Sequence, residues 1–113
     1  FELTLPIERL IIESCRGYGP APEFDLGAFP ALRVFAYDAF DLEEIPILRS
    51  LPPSLEEVTF LNNGFTVWEV RAVSPALEAL SSVRSVFLYR ASIADSVRSA
   101  LPNLQAGLGT WGR

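Results

Sequence analysis

A nine-residue pattern of apolar positions occurs four times along the chain and predicts four short strands. Apolar residues stand at positions one, four and six of each copy: Ile7-x-x-Leu10-x-Ile12-x-x-Cys15, Leu32-x-x-Phe35-x-Tyr37-x-x-Phe40, Leu55-x-x-Val58-x-Phe60-x-x-Asn63 and Val83-x-x-Val86-x-Leu88-x-x-Ala91. Positions four and six are two residues apart, so their side chains lie on the same face of an extended strand. We therefore predict parallel strands at residues 9–12, 34–37, 57–60 and 85–88, with the apolar positions in one core.

The segments before the strands are also similar to one another. An apolar residue precedes the first core position by three or four residues in Phe29-Pro30-Ala31-Leu32, Leu51-Pro52-Pro53-Ser54-Leu55, Leu80-Ser81-Ser82-Val83 and Leu101-Pro102-Asn103-Leu104. Proline ends any helix that comes before it and favours extended backbone. The last of these segments predicts a fifth strand that begins at Leu104.

The segments that connect the strands are predicted to be helical or irregular. Residues 67–80 carry apolar side chains at helical spacing, with Pro75 inside the segment, which predicts two short helices or a kink. Residues 93–101 predict a second helix with Ser92 as its N-cap. A short helix is predicted at residues 43–51, and a loop at residues 17–22.

The pattern and its spacing resemble the leucine-rich repeat. The copies begin at residues 7, 32, 55 and 83, and the intervals of 25, 23 and 28 residues fit the range of roughly 20–29 residues for that repeat. The resemblance implies an α/β fold: a leucine-rich-repeat solenoid with an open, curved parallel sheet and an irregular or helical convex side. Residues 1–113 would then hold about four repeats and a partial fifth. Because the chain opens on Phe1 and contains no Met, we expect it to be a segment of a longer protein.

Two details resemble one group of such proteins more closely. The segment Leu51-Pro52-Pro53-Ser54-Leu55 and the strand Leu55-Glu56-Glu57-Val58-Thr59-Phe60 look like the leucine-rich-repeat region of fungal F-box-type proteins. The F-box itself is a separate helical module, which these residues do not include. The resemblance implies a protein-interaction module that selects substrates for a cullin-type ubiquitin ligase.

Composition argues against several other functions. The net charge of −5 repels nucleic-acid phosphates and anionic membranes, and no apolar run approaches the roughly 20 residues that span a bilayer. The chain has no His, the commonest general base, and its one cysteine, Cys15, fills a structural position of the pattern. We therefore expect no enzyme activity and no metal, cofactor or small-molecule substrate. The single cysteine favours an intracellular protein, cytoplasmic or nuclear.

The positions between the core residues would form the concave face of the sheet. That face carries apolar and aromatic side chains with acidic residues beside them, and clusters of this kind mark protein interfaces. The predicted partner-binding residues are Phe87, Tyr89, Leu61, Glu57 and Asp38. The alternative is a structural spacer within a longer solenoid, in which these side chains are ordinary surface residues or are covered by a neighbouring segment.

Overall fold

A computed structural model describes residues 7–14, 23–39, 45–62 and 67–107 of the chain. These residues form an α/β structure with parallel strands and little helix. The strands are β1 (Arg9–Ser14), β2 (Glu23–Asp25), β3 (Val34–Ala39), β4 (Ile47–Arg49), β5 (Glu57–Asn62), β6 (Trp68–Val70), β7 (Ser85–Tyr89), β8 (Ala91–Ile93) and β9 (Leu104–Gly107). The α-helices are α1 (Pro75–Ala79) and α2 (Asp95–Ala100), and a single 3-10 turn covers Leu26–Ala28.

Five of the strands form one sheet in the order β1-β3-β5-β7-β9, and each pairs in parallel with the next. The register aligns equivalent positions of the four copies, so that Leu10, Phe35, Val58 and Val86 form one row. Leu104 continues this row by pairing with Val86, although it is the first position of the partial fifth copy. The four predicted strands, their parallel pairing and the fifth strand at Leu104 are therefore confirmed. We call this sheet the front sheet.

The core lies behind the front sheet. Phe35, Val58, Phe60 and Leu88 are completely buried there, and burial of a side chain of this size contributes about 1.5–3 kcal/mol. The first core positions, Leu32, Leu55 and Val83, are buried with them, whereas Ile7, Leu10 and Ile12 of the first copy are partly buried. The first strand is covered on one side only, because β1 pairs with β3 alone among the described strands.

The four segments before the later strands form a common turn. A backbone N–H donates to a carbonyl three residues earlier in every one: Leu32 to Phe29 at 3.0 Å, Leu55 to Pro52 at 3.1 Å, Val83 to Leu80 at 3.0 Å and Leu104 to Leu101 at 3.0 Å. The turn in the second segment starts at Pro52 rather than at Leu51, which accommodates its extra residue. We call these the pre-strand turns.

In two of the pre-strand turns, a side chain forms hydrogen bonds to the preceding pre-strand turn. The Ser54 Oγ lies 2.9 Å from the Pro30 carbonyl oxygen and 2.7 Å from the Leu32 carbonyl oxygen, so its single O–H is shared between these two acceptors. The Asn103 amide donates to the carbonyl oxygens of Leu80 at 3.0 Å and Val83 at 2.8 Å. Ser54 and Asn103 each directly precede the first core residue of their copy of the pattern. Equivalent positions of the sequence therefore form the hydrogen bonds in both turns.

The connections between front strands form a back layer that differs from the prediction. Each connection contains a short strand, and these pair in parallel as β2 with β4 and β6 with β8. The expectation of a convex side that is irregular or helical is therefore wrong at these strands. The helix predicted over residues 67–80 begins instead as β6, in which Trp68 and Val70 are buried and Glu69 is exposed. The helix predicted around Pro46 is replaced by β4 in its described part.

The helices of the back layer are short and start later than predicted. Pro75 is the first residue of α1 rather than an interruption, and the Ser74 hydroxyl caps the helix by accepting from the Leu77 N–H at 3.3 Å. This is the position at which proline is favoured in a helix. The N-cap of α2 is Ala94, without a side-chain bond. Ser92, the predicted cap, lies in β8 opposite Glu69.

Some predictions concern residues that the description does not include. The turn positions Cys15, Phe40 and Asn63 and the loop at residues 17–22 lie outside the described ranges. Ala91, the fourth turn position, is described and begins strand β8.

Candidate protein-binding face

The side of the front sheet that faces away from the core holds all five predicted partner-binding residues. We call it the outer face, and the register divides its side chains into three rows. The rows are Arg9, Val34, Glu57 and Ser85; Ile11, Ala36, Thr59, Phe87 and Gln105; and Asp38, Leu61 and Tyr89. Strand alternation thus places the predicted residues together on neighbouring strands β3, β5 and β7.

Phe87 and Tyr89 form an aromatic pair on the outer face of β7. They are two residues apart on one strand, and their ring centroids lie 4.2 Å apart with an interplanar angle of 40°. Both side chains are half-buried. Contact between the rings holds each in a restricted orientation, so the pair presents preformed apolar area with part of each ring accessible to a partner.

The centre of the outer face is buried, which differs from the sequence expectation. Leu61 is 5% exposed, Thr59 is 2% exposed and Ala36 is completely buried. Ala36 and Thr59 are short side chains between the longer Ile11 and Phe87 of the same row. Leu61 therefore belongs to the floor of the face rather than to its accessible surface, and the alternation pattern could not distinguish the two.

The acidic residues lie beside the aromatic pair. Asp38 stands opposite Leu61, which in turn stands opposite Tyr89, and Glu57 stands opposite Ser85. Asp38 and Glu57 are both half-buried, and Asp38 interacts with neighbouring groups within the protein. The outer face therefore combines a partly accessible aromatic pair on β7 with negative charge at Glu57 on the adjacent strand β5 and at Asp38 on β3, one strand further away.

A row of alternating charges on the residues that directly precede the front strands was not predicted from the sequence. Glu8, Arg33, Glu56 and Arg84 each directly precede a front strand. The Arg33 guanidinium donates to a Glu56 carboxylate oxygen, and Arg84 lies 3.9 Å from the other oxygen. The hydrogen bond from Arg33 and its positive charge lower the pKa of Glu56, and the same contacts raise the pKa of Arg33. The alternating signs at equivalent positions were a signal that could have predicted this row.

Within the described residues, no three acidic or thiol side chains come together in a group that could hold a metal ion. None of the described helices is both long and apolar enough to cross a membrane.

Comparison with protein-family models, with curated proteins and with solved structures gave no match. The function must therefore be argued from the geometry of this chain.

Proposed function

We propose that the chain is a leucine-rich-repeat module that binds a protein partner through the outer face. The observation that carries the proposal is the half-buried Phe87–Tyr89 ring pair at 4.2 Å. Aromatic side chains of this kind supply large contact area with few rotatable bonds, and they are enriched among residues that dominate binding energy. The aligned register and the common pre-strand turn support the repeat assignment.

Charge defines the chemistry of the partner. Glu57 lies on the strand next to the ring pair and Asp38 one strand beyond it, and the whole chain carries a net charge of −5. A partner that inserts an apolar side chain next to the rings and carries Arg or Lys beside it would complement both features. Such complementarity acts mainly on the association rate and on specificity.

The F-box resemblance gives the proposal a cellular context. In this view, the outer face holds a protein destined for degradation, and an F-box module connects it to a cullin-type ubiquitin ligase. The alternative is a structural spacer without a partner site, which the burial of Leu61, Thr59 and Ala36 favours because it reduces the accessible apolar area. In either role the chain itself carries out no reaction.

The decisive experiment removes the ring pair. The chain and its Phe87→Ala, Tyr89→Ala double variant are used for affinity capture, and partners that differ are purified and titrated by calorimetry. We expect a loss of about 2 kcal/mol or more, or roughly 30-fold in Kd, if the rings are the centre of the site. Arg98→Ala, on the exposed side of α2, is the matched control and should bind as the wild type does.

The outcomes separate the two roles. A double variant that keeps its circular-dichroism melting curve and loses its partner supports the outer-face site. Equal binding by the folded double variant would reject this site and favour the spacer. Enrichment of the ubiquitin-ligase adaptor by the longer protein, but not by this chain, would support the degradation role.

A further inference from the structure

The back layer is interrupted between β4 and β6. Among the described strands, β4 pairs only with β2 and β6 only with β8, although β3 and β5, which precede β4 and β6 in the chain, pair directly in the front sheet. Helix α1 packs against β4, and a helix needs about 8–10 Å of lateral space where a paired strand needs about 4.8 Å. β4 thus contacts a helix, and among the described strands it has no partner other than β2.

A cleft of about 440 Å³ lies in this interruption. Its walls are Ile45 and Ile47 at β4, the residues of β6 and the first residues of α1. Ile47 is 38% exposed, and the neighbouring Val67 and Val73 are 47% and 38% exposed. Three of the four large apolar side chains that are exposed in the described part of the chain therefore lie in or next to the cleft.

No described strand other than β8 pairs with β6, so its edge facing the cleft has no partner strand in the described part of the chain. Trp68 donates its N–H to the Arg90 carbonyl at 2.8 Å, and the Val70 carbonyl accepts from the Ala94 N–H at 2.9 Å, so both residues face β8. Successive residues of a strand direct their backbone groups to opposite edges. The N–H and C=O of Glu69 therefore point away from β8 and towards the cleft, which Glu69 lines.

The size of the cleft matches a short strand. Three residues of extended chain, with a rise of about 3.3 Å each, a width of about 4.8 Å and a thickness of about 10 Å, occupy on the order of 480 Å³. Strands β4 and β6 are three residues long. A free backbone edge with apolar walls is complementary to an extended peptide, which supplies main-chain donors and acceptors as well as alternating side chains.

We propose that this cleft binds an extended segment of a protein partner, which adds a strand to β6. The nearest charges are Glu69 and Arg71, which form an ion pair at 2.7 Å, so the rim is electrically balanced. The segment that fits is therefore short, uncharged at its centre and rich in β-branched residues, which favour extended structure. This site is separate from the outer face and does not depend on the function proposed for it.

The test removes one backbone hydrogen-bond donor, the Glu69 N–H, from the edge of β6 that faces the cleft. Glu69→Pro removes the N–H that faces the cleft and leaves the β6–β8 hydrogen bonds in place, because proline is tolerated at a strand edge that lacks a partner. Glu69→Thr is the matched control, since it removes the same carboxylate and keeps the N–H. The probes are fluorescently labelled five-residue peptides with blocked ends that alternate Val with Thr, Lys or Glu, and binding is followed by anisotropy.

We expect at least one peptide of the panel to bind the 113-residue chain saturably and to slow hydrogen exchange at the Glu69 amide. Glu69→Pro should weaken this binding at least tenfold, and Glu69→Thr should change it less than twofold. N-methylation of the central Val of the peptide should abolish binding to the unmodified chain, which tests the backbone bond without altering the protein.

Three results would overturn the proposal. The first is no saturable binding by any peptide of the panel. The second is equal binding by the N-methylated peptide, or protection of the Ile11 and Phe87 amides instead of Glu69. The third is a dimer in sedimentation that Glu69→Pro abolishes, which would make a second copy of the chain the occupant.

Discussion

The front sheet and the back layer are built from the same stretch of chain, yet only the first follows from a local pattern. Every front strand has its core residues two positions apart, and the partner strand repeats them at the same register. Among the short back strands, β4 buries one residue and β6 and β8 bury two each, whereas β2 has only the half-buried Phe24. The difference indicates that the front sheet is specified by its own sequence, whereas the back layer adapts to it.

The comparison can be tested by making the same valine-to-alanine substitution in both regions. Val58 in the centre of the front sheet and Val97 in α2 are both completely buried. Removal of two methyl groups costs the same transfer free energy at each site, about 1.6 kcal/mol before any cavity term. Alanine is favoured over valine in a helix by up to about 0.7 kcal/mol, and valine is favoured over alanine in a strand on a scale of about 1 kcal/mol.

We therefore expect Val58→Ala to lower the free energy of unfolding by about 2–4 kcal/mol. Val97→Ala should cost about 1 kcal/mol less. Urea denaturation followed by circular dichroism measures both values. Equal losses would mean that the back layer is as rigidly packed as the front sheet, and a larger loss for Val97→Ala would reverse the comparison.

The pre-strand turns join the two regions, and their side-chain links can be removed singly. Asn103→Ala deletes two hydrogen bonds to the carbonyl oxygens of Leu80 and Val83. At a net value of about 0.5–1.5 kcal/mol for each bond, the expected loss in stability is about 1–3 kcal/mol. Ser82→Ala is the matched control, because Ser82 holds the equivalent position before Val83 and is exposed.

The Ser82→Ala variant should stay within about 0.5 kcal/mol of the wild type, as most exposed substitutions do. Thermal unfolding of the three proteins at one concentration gives the comparison. If Asn103→Ala is also neutral, the links between turns are dispensable, and the front sheet is held by its strand pairing and apolar core alone.

The residues that were predicted correctly share a physical origin. Phe35, Val58 and Phe60 could be placed because strand alternation is a local rule that each copy of the pattern obeys independently. Strand β6 was not predicted, because the spacing of Val67, Val70 and Val73 also suits a helix. Its pairing with β8, more than twenty residues later, decides the conformation. Long-range pairing of this kind leaves little signal in a three-residue segment.

Part of the candidate site could also be predicted from strand alternation, and part could not. Strand alternation placed Phe87, Tyr89, Asp38 and Glu57 on one face, and the register confirms that arrangement. The burial of Leu61 depends on the bulk of its cross-strand neighbours and on the shape of the sheet, which a single sequence does not encode in any local pattern. The cleft between β4 and β6 was not predictable, since it follows from the unpredicted strands and from the placement of α1.

The smallest expected effect concerns the exposed ion pairs, which occur in both regions. Arg33 lowers the pKa of Glu56 beside the front sheet, whereas Arg49 pairs with Glu23 across β4 and β2 in the back layer at 3.0 Å. Arg33→Gln should raise the pKa of Glu56 towards its ordinary range, and Arg84→Gln should do so to a smaller extent, because Arg84 is the weakest of the groups that lower it. Carboxyl carbon NMR titration measures this pKa, and Arg49→Gln should leave it unchanged.

The pH dependence follows from the direction of that shift. Because the folded pKa of Glu56 lies below its unfolded value, the contribution of the Arg33–Glu56 pair is complete above the unfolded pKa and is lost as the pH falls through the folded pKa. The difference in stability between wild type and Arg33→Gln should therefore shrink over this acidic interval and stay constant at neutral pH. Both side chains are exposed, so solvent and salt screening keep the difference small. An unchanged Glu56 titration in Arg33→Gln would show that Arg33 does not perturb the Glu56 carboxylate, and the pair would then contribute nothing to stability.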